Sequence, residues 1–257
     1  MVVGLSLIPL AQAQAEASAP TASSGLVFWL ILLAGMALAP FVLTMVTSFA
    51  KLVVVGGILR HALGTQQIPP NTVITGLALI LTIHIMSPVA VKIYDNYAKA
   101  EEAATRPARE APPTSGETIR RITVAAEGPM REFLQRHSHP ENVQMFEDLR
   151  GRLQATNRAE AAGAKAEQAD ALVGELMNDV TVLTPAFMLS QLTEAFQIGF
   201  LLFVPFLVID LVVSNVLMAM GMQMMSPVTV SMPLKLLLFV LVDGWRLIMR
   251  GLVLGYT

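Results

Sequence analysis

The chain has 257 residues, of which 54% are hydrophobic and only 14% charged, with a net charge of −2 and no cysteine. Soluble domains run about 45–50% apolar and about 25% charged, so the composition points to a membrane-associated protein. The missing cysteine excludes disulfides, thiolate nucleophiles and sulfur-ligated metals, and the near-neutral balance without a basic patch argues against a nucleic-acid partner.

The charges are unevenly spread: residues 92–179 hold 27 of the 36 Asp, Glu, Lys and Arg residues. The chain is therefore an apolar, a polar and an apolar block in series. This gives a leader over 1–25, N-terminal apolar helices over 26–91, a hydrophilic helical insert over 92–179 and C-terminal apolar helical hairpins over 180–257. The expected fold class is all-α, with membrane-associated helical hairpins and a small helical hydrophilic insert.

Residues 1–15 resemble a secretory signal with two small-x-small sites, but they lack the positive n-region; an uncleaved leader is the equal alternative. Leu26 to Val46 is long enough to span about 30 Å of hydrocarbon, with Gly35 and Pro40 predicting a kink or break. Residues 52–63 (LVVVGGILRHAL) predict a shorter apolar helix. GTQQIPPN then predicts a turn at Pro69-Pro70, and Thr72 to Val91 a second span.

In the insert, residues 100–117 have a disordered, Pro- and Glu-rich composition. Helical periodicity follows over 118–136, with apolar Ile119, Ile122, Phe133 and Leu134, and over 141–157, with Val143, Phe146, Leu149 and Leu153. The Ala-rich 158–170 predicts an exposed helix. Beyond it, 184–220 predicts apolar helix on both sides of Pro205. Ser226-Pro227 and Met232-Pro233 are expected to bracket a turn, after which Leu234 to Tyr256 returns as a last helix. Lys51 and Arg60 lie between the first two spans, and Lys and Arg favour the cytoplasmic side. That places residues 47–71 inside and the insert in the periplasm of a Gram-negative inner membrane. Arg246 and Arg250 pull against that scheme.

Few residues invite chemistry. His137-Ser138-His139 lacks metal-ligand spacing, His84 in its apolar run reads as a packed or interface histidine ahead of a proton relay, and no catalytic or phosphate-binding motif occurs. No enzyme activity, metal or cofactor is expected. Asp210, Lys235 and Asp243 are embedded in apolar runs, where a bilayer-centre charge costs roughly 2.5–3.5 kcal/mol on insertion scales. They are expected to be neutralised by partners, Lys235 by Asp210 or by Asp243. Met218, Met220, Met222, Met224 and Met225 crowd one short segment. The plainer reading is core filler; the functional one is a deformable apolar seal.

Three blocks carry a family resemblance. MVTSFAKLVVVGGILRHALGTQQIPPN, TPAFMLSQLTEAFQIGFLLFVPFLVIDLVV and SPVTVSMPLKLLLFVLVDGW resemble the FliP/SctR family, the export-gate subunits of flagellar and virulence-associated type III secretion systems. TEAFQIGFLL, SPVTVS and GLVLGY are more similar to the injectisome branch, whereas the GTQQ spelling and the possible leader lean towards the flagellar one. The resemblance implies a pentamer that joins two smaller gate subunits in a ring-like conduit for unfolded protein substrates. It also implies hairpins lying largely above the bilayer plane and a methionine gasket mapping onto Met222, Met224 and Met225. Two departures stand out. Gln223 interrupts the methionine run, and Gln191 stands where relatives commonly carry an acid, leaving Glu194 as the candidate for an ion pair between subunits. An ion-coupled transporter, suggested by Asp210, Lys235, Asp243 and His84, and an assembly scaffold that does not line the passage are the competing functions.

Overall fold

The computed structural model describes residues 22–65, 68–104, 115–160, 179–222 and 224–256. The possible leader, the middle of the Pro-rich segment, most of the Ala-rich segment and Gln223 lie outside the described residues.

All regular structure among the described residues is helical: α1 (Ala22–Val46), α2 (Phe49–Ala62), α3 (Asn71–Ala104), α4 (Ser115–Arg136), α5 (Pro140–Glu160), a π-helical turn (Asp179–Leu183), α6 (Thr184–Ala219), α7 (Pro227–Leu241) and α8 (Gly244–Leu254). The chain divides after Val42 into two compact units. The first consists, among the described residues, of most of α1, with Trp29, Leu33, Met36 and Phe41 exposed. Helices α2 to α8 all lie in the second.

Proline does not break these helices. Pro40, Pro88, Pro129, Pro205 and Pro233 all lie inside helices. The helices are therefore unbroken at Pro40 and at Pro205, and the turn expected at Met232-Pro233 is absent. A proline removes one backbone bond and crowds the preceding turn, but a long apolar helix tolerates it because neighbouring groups re-satisfy the backbone. Ser226-Pro227 instead starts α7, with Pro227 in its first turn, where the missing N–H costs nothing. The expected last helix from Leu234 is broken at Val242-Asp243. Asp243 adopts a left-handed conformation (φ 52°), and Phe239 packs into the space where a side chain on Gly244 would stand.

At the centre, α2 packs on both α3 and α6. Val55 and Leu59 of α2, with Phe187 and Ala195 of α6, Phe133 of α4 and Ile248 and Leu252 of α8, belong to one buried cluster. Gly199 lets α6 approach α2: a Cβ there would lie 2.4 Å from Ile58 Cδ1. α6 and α7 form a hairpin with Phe206 against Phe239 at 6.5 Å between ring centroids.

The polar insert is docked on the apolar helices. α3 runs past the composition boundary at residues 91 and 92, and α4 packs back along it. α4 buries Ala125, Phe133 and Leu134, while Ile122 stays exposed. Among the described residues, two helical stretches are long and apolar enough to cross a membrane, Asn71–Glu102 and Thr181–Ala219; Pro40–Val46 with Phe49–Ala62 is a bent pair that would make a third.

Candidate functional site

Two buried lysines organise the polar interior. Lys51 on α2, 3% exposed, pairs with Glu194 on α6, and its ammonium sits 4.6 Å from the centroid of the Tyr256 ring. The other Glu194 oxygen meets His139 Nε2 at 3.2 Å. One turn earlier on α6, the Gln191 side-chain amide donates to the His137 carbonyl at 2.9 Å and accepts from the Tyr256 hydroxyl. Ser190 Oγ accepts from the His139 backbone N–H and from Asn142 Nδ2, both at 2.8 Å. Ser190, Gln191 and Glu194 share one face of α6 by helical spacing, so three successive contacts staple the α4–α5 turn to that helix.

Aromatic rings close this node. His137 lies 4.7 Å from Phe133 and 5.0 Å from Tyr256, centroid to centroid. Burial, reinforced by the Arg136 and Lys51 charges, holds His137 below the ordinary histidine value, with Glu194 opposing the shift. Burial first and Glu194 second push the Tyr256 phenol well up, so Tyr256 remains a hydrogen-bond donor. A neutral imidazole between two rings and beside a lysine is consistent with a structural joint.

The second lysine, Lys235 on α7, is also 3% exposed and reaches Asp210 Oδ2 on α6 at 2.6 Å. The Ser231 hydroxyl donates to the other Asp210 oxygen. Of the two partners expected for Lys235, the structure uses Asp210. Asp243 is 66% exposed at its side chain in the single chain, with Arg246 at 3.7 Å. The backbone turn that swings it outward separates it from the α6–α7 seam. His84 is likewise exposed on α3 within the single chain.

The methionine segment forms the tip of the α6–α7 hairpin. α6 ends in a Schellman cap: Gly221 N–H donates to the Met218 carbonyl and Met222 N–H to the Leu217 carbonyl, both at 3.0 Å, with Gly221 at φ 74°. That conformation suits glycine. The Met225 N–H returns to the Met222 carbonyl at 3.3 Å before Ser226 and Pro227 start α7. Met222 and Met225 are 44% and 51% exposed and Met224 fully so. In the single chain these side chains fill no core.

Sequence reasoning missed Lys51 and Tyr256. The available signals were a lone lysine inside FAKLVVVGG and a terminal tyrosine after an apolar helix. Gln191, a departure in the sequence, is a neutral hub bonded at both its amide nitrogen and its amide oxygen. Among the described residues no group of three His, Asp or Glu could hold a metal ion.

These features define a membrane-associated helical protein whose buried charges serve internal joints and which carries a crowd of exposed methionines at one hairpin tip. The chain belongs to the FliP family, whose family model matches residues 32–252. It is 41% identical over 227 residues to Yop proteins translocation protein R of Yersinia pestis, covering 88% of this chain and 94% of that protein. It is 40% identical to hypersensitivity response secretion protein HrcR of Ralstonia nicotianae, covering 88% and 95%. To flagellar biosynthetic protein FliP of Caulobacter vibrioides the identity is 42%, covering 85% and 71%.

Proposed function

We propose that this chain is a conduit-forming subunit of the type III secretion export gate of the bacterial inner membrane, and that Met222, Met224 and Met225 form its seal. Family membership carries the first part, an export-gate subunit whose role is structural within a secretion apparatus. Secretion and flagellar relatives match at the same level, 41% and 42% identity, so the reading is set at the function both branches share.

The single observation that carries the conduit role is the methionine tip. Unbranched thioether side chains deform around a changing cross-section, and each contact is weak dispersion. Several copies converging on an axis would exclude water at rest and part for an unfolded polypeptide. Partners under this reading are further copies of the chain in a ring of five, the smaller subunits of the same gate, unfolded secreted substrates and membrane lipid. Exposed Phe196, Phe200, Leu201, Leu211 and Val212 on α6 supply apolar surface for such neighbours. The insert is assigned to the periplasm.

An ion-coupled transporter needs a carboxylate free to bind and release its ion. Asp210 is instead held by Lys235 and Ser231, which favours the conduit. A photoreactive amino acid at position 224, in cells carrying a stalled substrate, tests the assignment. Cross-links to the substrate are expected. Cross-links only to other gate subunits would make the chain a scaffold.

A further inference from the structure

The same tip has a chemical property that its packing role does not require. Met218, Met220, Met222, Met224 and Met225 occupy an eight-residue segment, and all five are at least 44% exposed in the chain. Thioether sulfur is a two-electron nucleophile, and exposure decides which methionines react first. Leu, Ile or Val would give an apolar constriction without this reactivity.

We infer that the methionine tip is an oxidation site whose conversion to sulfoxide opens the seal; this rests on the seal reading above. The co-reactant is a peroxide. A sulfur lone pair attacks one oxygen of hydrogen peroxide, the O–O bond breaks and an S–O bond forms. The departing hydroxide takes the remaining proton and leaves as water. Sulfur is oxidised by two electrons and peroxide is reduced by two. Hydrogen peroxide is small and neutral, so it reaches side chains at a constriction from the watery passage on either side. The product is a polar, strongly hydrogen-bond-accepting sulfoxide in place of an apolar thioether. Water then gains partners where the thioethers offered only weak ones, and the dry contact becomes wet. The backbone is unaffected: the hydrogen bonds that shape the tip are between main-chain atoms of Leu217, Met218, Gly221, Met222 and Met225. The change is therefore a local loss of sealing in an assembled gate, reversible by enzymes that reduce methionine sulfoxide.

The experiment uses the complete gate reconstituted in liposomes. Leakage of a small trapped dye is measured before hydrogen peroxide, after it, and after treatment with methionine sulfoxide reductases, while mass spectrometry follows each methionine. The expected result is sulfoxide at the tip methionines, earliest at the fully exposed Met224, a several-fold rise in leak, and its reversal on repair. A Met36→Leu/Met45→Leu/Met145→Leu gate, which removes exposed methionines elsewhere, should respond to peroxide as wild type does. In a Met222→Leu/Met224→Leu/Met225→Leu gate, the ratio of leak after to leak before peroxide should stay near one, whatever its starting level. Full sulfoxide at the tip without added leak overturns the inference, and so does a response that persists in the tip variant. Failure of the seal itself is told apart by the alanine triple variant: if that gate stays tight, the seal reading falls; if it leaks while the oxidised wild type does not, only the oxidation inference falls.

Discussion

Lys51 and Lys235 are each 3% exposed, and each is neutralised by one carboxylate of α6. Breaking a buried pair on one side costs roughly 3–5 kcal/mol, because a lone charge is left in a poor solvent. Asp210 is one-third exposed, so Lys235→Ala should fall at the low end, about 3 kcal/mol. At about 2–4 °C per kcal/mol for a chain of this size, its apparent melting temperature in detergent should fall by several degrees. An unchanged melting temperature would show that the ammonium is solvated. His137 gives a pH dependence of definite sign. Its folded value lies below the ordinary 6.5, so the unfolded chain takes up a proton first as pH falls. The stability it contributes is full above about pH 6.5 and is lost below it. His139, Glu194, Lys51 and Arg136 face the same node, so the group must be isolated by comparison. Melting measured between about pH 7.5 and 5.5 should fall more steeply in wild type than in His137→Asn, and parallel curves would remove His137 from the linkage.

At the scale of elements, close approach of α2 and α6 depends on Gly199. A Cβ there would meet Ile58 at 2.4 Å, and over-filling a packed contact costs typically about 1–3 kcal/mol. Gly199→Val should therefore lower the melting temperature, and adding Ile58→Ala should recover part of the loss; no recovery would place the strain elsewhere. The same helices show what could be read from sequence. Helix type and rough position were legible for α2, α4 and α5, because apolar spacing and composition are local signals. The breaks were less so. Proline was expected to punctuate the chain at Pro40, Pro205 and Pro233, but a helix runs through each, since a proline removes only one backbone bond. The break at Val242-Asp243 was hidden because it needs a left-handed aspartate, a rare conformation outside glycine. The pairing of Lys235 with Asp210 was half legible, since spacing offered two carboxylates and only the hairpin chose between them. The node around Gln191 and Tyr256 joins residues 65 apart in sequence, and no local pattern marks such a contact.

At the scale of the whole molecule, α6 is one continuous helix of 36 residues, about 54 Å long at 1.5 Å per residue. Its first turns grip the insert through Ser190, Gln191 and Glu194, and its last turn is capped at Gly221 beside the methionine tip. Glu194, weighed in the sequence as an intersubunit group, is occupied within the chain by Lys51 and His139. Contacts between copies are then expected mainly from the exposed apolar faces of α6 and α7. A detergent-stable homo-oligomer should appear by native mass spectrometry, and monomer alone across several mild detergents would contradict it. The seal is decided by a permeability measurement on Met222→Ala/Met224→Ala/Met225→Ala within the complete gate, with assembly verified in the same cells. These side chains lie outside the buried cluster, so assembly should be normal while small ions leak well above the wild-type level. An assembled mutant gate as tight as wild type would contradict the seal and return the methionines to surface filler.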